Sequence, residues 1–121
     1  MPSTAHASAF WHTIELLLET SDIVIDRPAG SRHPRYPDLI YPLAYGYLAG
    51  TQAADGNGID VWVGSQPQRH ISAIVCAVDL EKRDAEMKVL LGCTPEEIAT
   101  VTAFHNQGTQ AALAVLREWE S

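Results

Sequence analysis

Along the first twenty positions the apolar residues recur at helical spacing. Phe10, Ile14, Leu17 and Leu18 form one stripe, which predicts an amphipathic helix from about Ser8, a candidate N-cap, to Thr20. The small polar residues 1 to 7 before it predict a frayed start, and His12 reads as a surface or packing histidine of that helix. The period then shortens. Ile23-Val24-Ile25-Asp26, the aromatic run from Tyr41 to Thr51, Ile59 to Val63, Ile71 to Val78 and Ala85 to Leu91 read as strands, the first four separated by Pro- or Gly-containing turns and the last two by the charged turn Asp79 to Asp84. In the last of these, alternation puts Asp84, Glu86 and Lys88 on one face and Met87, Val89 and Leu91 on the other.

Helical punctuation returns at Thr94-Pro95-Glu96-Glu97. Thr94 is a candidate N-cap, Pro95 suits the first helical position and Glu97 closes a capping box. Ile98, Val101 and Phe104 continue the stripe until Asn106-Gln107-Gly108 stops it, and a final helix is predicted from about Thr109, packing Leu113, Leu116 and Trp119. The elements predict an α+β chain with a mainly β core: a small, closed or nearly closed five-stranded OB-like barrel, mostly antiparallel, with an N-terminal helix and one or two C-terminal helices.

Composition narrows the class. The 121 residues make one domain, 1–121, with 46% hydrophobic and 19% charged residues, the balance of a folded soluble chain. A net charge of −7 argues against nucleic acid or an anionic membrane as partner, though not against a phosphate substrate, because divalent ions can invert a local field. No secretory h-region follows Met1 and no apolar run approaches a membrane span, so a cytoplasmic protein is expected. Cys76 and Cys93 read as buried free thiols.

The candidate chemistry sits at the corner Asp55-Gly56-Asn57-Gly58-Ile59-Asp60. Two carboxylates are held five residues apart by glycines that permit positive φ, which suits a hard cation such as Mg²⁺ or Mn²⁺ and equally suits an ordinary hairpin turn. Arg32, His33 and Arg35 make a basic, proline-flanked extended segment beside it, readable as an exposed loop or as a phosphate-binding arm.

Taken together, these stretches resemble the signature of the soluble, Mg²⁺-dependent family I inorganic pyrophosphatases. Tyr41, Pro42, Tyr45, Gly46 and Tyr47 match its Tyr-Pro-x-x-Tyr-Gly-aromatic strand, and Asp55, Gly56, Asp60 and Val61 match Asp-Gly-Asp-Pro-x-Asp-Val. Asn57 and Gly58 stand where that signature has Asp and Pro. Asp79 and Asp84 match the family's Asp-x-x-x-x-Asp-x-Lys motif, with Glu86 at the Lys position and Lys88 one alternation further on. Asp26, Arg35 and Tyr36 fall at the family's Glu, Lys and Tyr positions. Pro37 replaces a further acidic residue and the family's arginine-bearing hairpin is missing, so the resemblance would leave Arg32 to stand in for its arginine. His105-Asn106 takes the place of a phosphate-contacting Tyr-Lys pair, while His105 also reads as a capping or packing residue.

The resemblance implies hydrolysis of diphosphate by metal-activated water. It implies Mg²⁺, with Mn²⁺ as a substitute, on Asp55, Asp60, Asp79 and Asp84, with Asp26 nearby, and a catalytic group of Asp60, Asn57 and Tyr45. Arg35, Arg32, Lys88, His105 and Asn106 would bind substrate, and copies of the chain would assemble into a homo-oligomer. Fewer cations than the family pattern also leave open another small phosphorylated metabolite or nucleotide as substrate, or a non-catalytic module that binds Mg²⁺ with phosphate.

Overall fold

The computed structural model describes residues 4–54 and 56–117, so Asp55 and Trp119 lie outside the described residues. In chain order the elements are α1 (Thr4–Glu19), β1 (Ile23–Arg27), β2 (Ala44–Leu48), β3 (Ile59–Val63), β4 (Ile71–Asp79), β5 (Asp84–Leu91), α2 (Pro95–Phe104) and β6 (Gln110–Leu116). The first helix begins four residues ahead of Ser8, within the stretch expected to fray.

The strands form one six-stranded sheet in the order β1-β2-β3-β5-β4-β6. Every pairing is antiparallel except β3 with β5, which is parallel. The α+β class and mainly β core are as expected. The strand count is six rather than five, and β1 and β6 end the ladder without pairing to each other, so the described sheet is open rather than a closed barrel.

The sixth strand replaces the expected final helix. Ala112 and Ala114 alternate with the exposed Leu113 and Val115, a period of two that the alanine-rich composition disguises. Strand β6 pairs with β4 over seven residues, Ala73↔Leu116 through Asp79↔Gln110, giving β4 a partner on each side. α2 is therefore the one C-terminal helix among the described residues. Its capping box forms as the sequence predicts: the Thr94 hydroxyl accepts from the Glu97 amide and the Glu97 carboxylate accepts from the Thr94 amide.

Alternation sends the sheet's side chains into two layers. On one face Trp11, Ile14 and Leu18 of α1 pack on Leu48, Val61, Ile71, Ile74, Val89 and Leu91. On the other, Val101 of α2 packs on Trp62, Ala73, Val75, Leu90 and Cys93, with Tyr45 and Phe104 against them. Burying each large side chain contributes roughly 1.5–3 kcal/mol, so both layers are needed to hold a sheet this small. Cys93 is buried as expected, whereas Cys76 is exposed, because its place in β4 opposite Met87 and Leu113 lies on a stretch of the α1 side where those neighbours are exposed too.

Candidate functional site

A cavity of about 650 Å³ opens on the α2 side of the sheet. Three segments border it. Residues 30–41 fold back as a small hairpin, with Gly30 and Tyr41, then His33 and Leu39, joined by backbone hydrogen bonds. The expectation of a merely extended arm is thus refined: this segment is itself a hairpin that carries Arg32 and Arg35. The β4–β5 turn supplies Glu81 and Lys82, and the α2–β6 loop supplies Gln107, Gly108 and Thr109. Tyr41, Tyr45, Trp62 and Phe104 form its aromatic wall, with Tyr45 and Trp62 ring centroids 4.7 Å apart and Trp62 and Phe104 5.3 Å apart.

Lys88 is the buried ion of this site, 6% exposed. Its Nζ donates to the Tyr45 hydroxyl at 3.0 Å, to Asp60 Oδ2 at 2.6 Å and to Glu86 Oε2 at 2.5 Å. Burial by itself would pull its pKa down, but Tyr45, Asp60 and Glu86 outweigh it and hold the ammonium above the ordinary lysine range. Burial pushes the Tyr45 phenol up as well, so it keeps its proton at neutral pH. The sequence puts Lys88 and Glu86 on one face of β5. It does not display the parallel β3–β5 pairing, Val61↔Val89, that sets Asp60 beside Lys88.

His105 is also buried against the cavity. Its Nε2 accepts from the Trp62 indole N–H at 3.1 Å, which leaves Nδ1 to carry the proton toward Gln110 Oε1 at 3.3 Å. Burial, reinforced by Lys88, pushes its pKa down to about 4. The ring is neutral at pH 7, a polar spacer rather than a cation.

Asp79 and Asp84 face each other across β4 and β5 and both line the cavity. Asp79 Oδ1 accepts from the Thr109 hydroxyl at 2.8 Å and from the Glu81 and Lys82 amides at 2.9 and 3.2 Å, and the Thr109 hydroxyl foremost holds its carboxyl below the usual range. Arg35 lines the cavity with its guanidinium 5.6 Å from the Tyr36 ring centroid. Glu81, Lys82 and the Gln107–Thr109 loop also border it and were not anticipated. Their only signal was adjacency to Asp79 and Asp84 or to His105, which places them at turns but not over a cavity.

Other expected residues fall elsewhere. Arg32 is exposed and donates to the Pro37 carbonyl at 3.2 Å. Asp26 is exposed in the β1 bulge between Ile25 and Arg27. Asn57 is exposed in the loop before β3, where its carbonyl accepts from the Ala53 amide. Asn106 turns away from the cavity to bond the Thr102 carbonyl and both backbone groups of Ala112. Gly56 has φ of +86°, as the corner requires, while Gly58 serves by close approach, since a Cβ there would sit 2.8 Å from the Tyr47 ring.

In donor type Asp79 and Asp84 fit a hard divalent cation. Asp60 fits less well, because the Lys88 ammonium engages its carboxylate. Among the described residues no three His, Cys, Asp or Glu side chains converge as a ready cage.

No curated protein sequence matches the chain. Among solved structures, an inorganic pyrophosphatase from Neisseria gonorrhoeae is similar with TM-score 0.59 at 17% identity, over 74% of this chain and 77% of that one. One from Coxiella burnetii gives 0.55 at 16%, over 78% and 82%, and one from Helicobacter pylori 0.54 at 12%, over 78% and 81%. These likenesses carry the fold. The family model described as Inorganic Pyrophosphatase matches residues 8–113, which takes in most of α1, all of β1 to β5 and α2, and the cavity's border, and this chain belongs to the inorganic pyrophosphatase family.

Proposed function

We propose that this chain is a hydrolase of phosphoanhydride bonds, with diphosphate as its first substrate and Mg²⁺, or Mn²⁺ in its place, as cofactor. The observation that carries the reading is one cavity bordered by Arg35, Lys82, Tyr45, Asp79 and Asp84 in a chain of the pyrophosphatase family. Asp79 and Asp84, with Asp55, would hold the ion. A divalent ion neutralises phosphate oxygens and acidifies the attacking water. The chain's own groups have separate tasks. Arg35 and Lys82 offer charge to the phosphate oxygens, and Tyr45, kept protonated, offers a hydroxyl donor. The neutral His105 adds no charge of its own to the cavity.

A second reading has an observation of its own. The cavity volume lies in the middle of the range for whole organic ligands, and one wall, formed by Tyr41, Tyr45, Trp62 and Phe104, is aromatic. That favours a phosphorylated substrate with an organic part, such as a nucleotide, over the same catalytic groups. The homo-oligomer and cytoplasmic location expected from the sequence belong with either reading. Among the described residues no helix is long and apolar enough to cross a membrane.

Phosphate release from diphosphate, with excess Mg²⁺ and beside a panel of nucleotides and phosphoesters, separates the readings. Asp84→Asn is the suitable control, because Asp84 is exposed at the cavity rim and carries little of the fold. Release from diphosphate that falls at least ~100-fold in the variant is expected. Greater release from another compound would transfer the assignment to the second reading, and none from any compound would overturn both.

A further inference from the structure

We propose that the Lys88 ammonium takes the place of a divalent cation between Asp60 and Glu86, so that Asp60 is withdrawn from metal binding in this chain. The inference deepens the metal part of the reading above, and it concerns the cavity's charge rather than turnover.

An ammonium has three protons, and Lys88 spends them on Asp60, Glu86 and Tyr45. No N–H is left for a phosphate oxygen in this arrangement. The two carboxylate oxygens approach Nζ at 2.6 and 2.5 Å, side chains of hard-cation donor type gathered around an organic cation. A divalent ion entering at Asp60 would have to break a part-buried ion pair and then lie beside the ammonium it had displaced. Both steps are unfavourable in a site where the lysine side chain is 8% exposed.

The sequence carries the same exchange. Where the family motif continues from its second Asp to x-Lys, this chain has Glu86, and the cation reappears at Lys88 on the same face of β5. Glu86 adds a negative charge beside Asp60, and the Lys88 ammonium lies between the two carboxylates and offsets one of their charges. The two departures are one compensated substitution: Glu86 without Lys88 would leave two carboxylates facing each other, and Lys88 without Glu86 would leave one of its three protons without that acceptor.

Manganese binding tests this without reference to hydrolysis. Free Mn²⁺ is followed by its electron paramagnetic resonance during titration of the full chain, of Lys88→Met and of Lys88→Met with Asp60→Asn. The expected result is that Lys88→Met gains about one bound ion per chain over the native protein, and that adding Asp60→Asn abolishes the gain. Equal binding by the folded native and Lys88→Met chains would overturn the proposal.

If Lys88→Met does not fold, the native chain gives the answer by itself. The Lys88 ammonium resonance in a ¹H–¹⁵N correlation spectrum is expected to keep its position and slow exchange while Mg²⁺ saturates the protein. Its loss or displacement as Mg²⁺ binds would mean that the ion takes Asp60, and the proposal fails. Neither experiment reads phosphate release, so a chain inert toward diphosphate leaves this test intact, and an active one does not decide it.

Discussion

Both ring nitrogens of His105 are engaged, and the engagement fixes how the side chain responds to acid. The Trp62 N–H needs the unprotonated Nε2 as acceptor, so a proton arriving there destroys a buried hydrogen bond. Lys88 nearby opposes the added charge, while Glu86, Asp60 and the Gln110 hydrogen bond favour it without compensating burial. The native pKa of about 4 lies below the ordinary 6.5 of an unfolded histidine. As pH falls from 6.5 toward 4 the unfolded chain therefore binds a proton that the native chain refuses, and stability is lost over that window. Full expression of this one group is worth about 3 kcal/mol. The check is urea unfolding of the native chain and of His105→Gln from pH 7 down to pH 4. The native chain should lose stability faster than the variant through this range, a difference that removes the contribution of the carboxylates common to both. A His105 resonance titrating near 6.5 would overturn the account.

Asn106 shows at the scale of elements why part of the chain was legible and part was not. The capping box at Thr94, the aromatic strand β2 and the alternating β5 are local patterns, and each formed within the stretch its residues indicated, β2 over Ala44–Leu48 of the longer run from Tyr41 to Thr51. Strand β6 was not local. Leu113, Leu116 and Trp119 fit helical spacing in the sequence, and alanines favour helix, yet the exposed edge of β4 selects the extended form for Gln110 to Leu116. Asn106 helps to make that selection: its amide donates to the Thr102 and Ala112 carbonyls at 2.8 and 2.9 Å, and its oxygen accepts from the Ala112 amide at 3.0 Å. It clamps the end of α2 to the start of β6. The same limit applies to the site, where the alternation of Glu86 and Lys88 was readable but their meeting with Asp60 depends on a crossover between β3 and β5. Asn106→Ala should cost about 1 kcal/mol and lower hydrogen-exchange protection at the Ala112 to Leu116 amides, with KM for the phosphate substrate unchanged. A raised KM with unaltered protection would return Asn106 to the substrate site.

The distribution of apolar surface sets what the whole molecule does in solution. On the α1 side of the sheet, beyond the part that Trp11, Ile14 and Leu18 pack on, Cys76 meets Met87 and Leu113 in register and Val78 meets Ala85 and Ala111. Leu113 is 60% exposed and Val78 52%, and Val115 opposite Ile74 extends the same strip. Charge does not interrupt β6, whose residues from Gln110 to Leu116 include no Lys, Arg, Asp or Glu, although edge strands ordinarily rely on such residues against pairing. A contiguous apolar strip beside an uncharged edge favours association of copies, and the net charge of −7 sets the repulsion that association must overcome. The expected outcome in sedimentation velocity is a homo-oligomer whose mass rises with salt as that repulsion is screened. Leu113→Glu should reduce the sedimenting mass at every salt concentration while changing fold stability by less than about 0.5 kcal/mol, since the side chain is exposed in the single chain. A native chain that sediments as a monomer throughout, or a variant that assembles as well as the native chain, would show that this strip does not join copies.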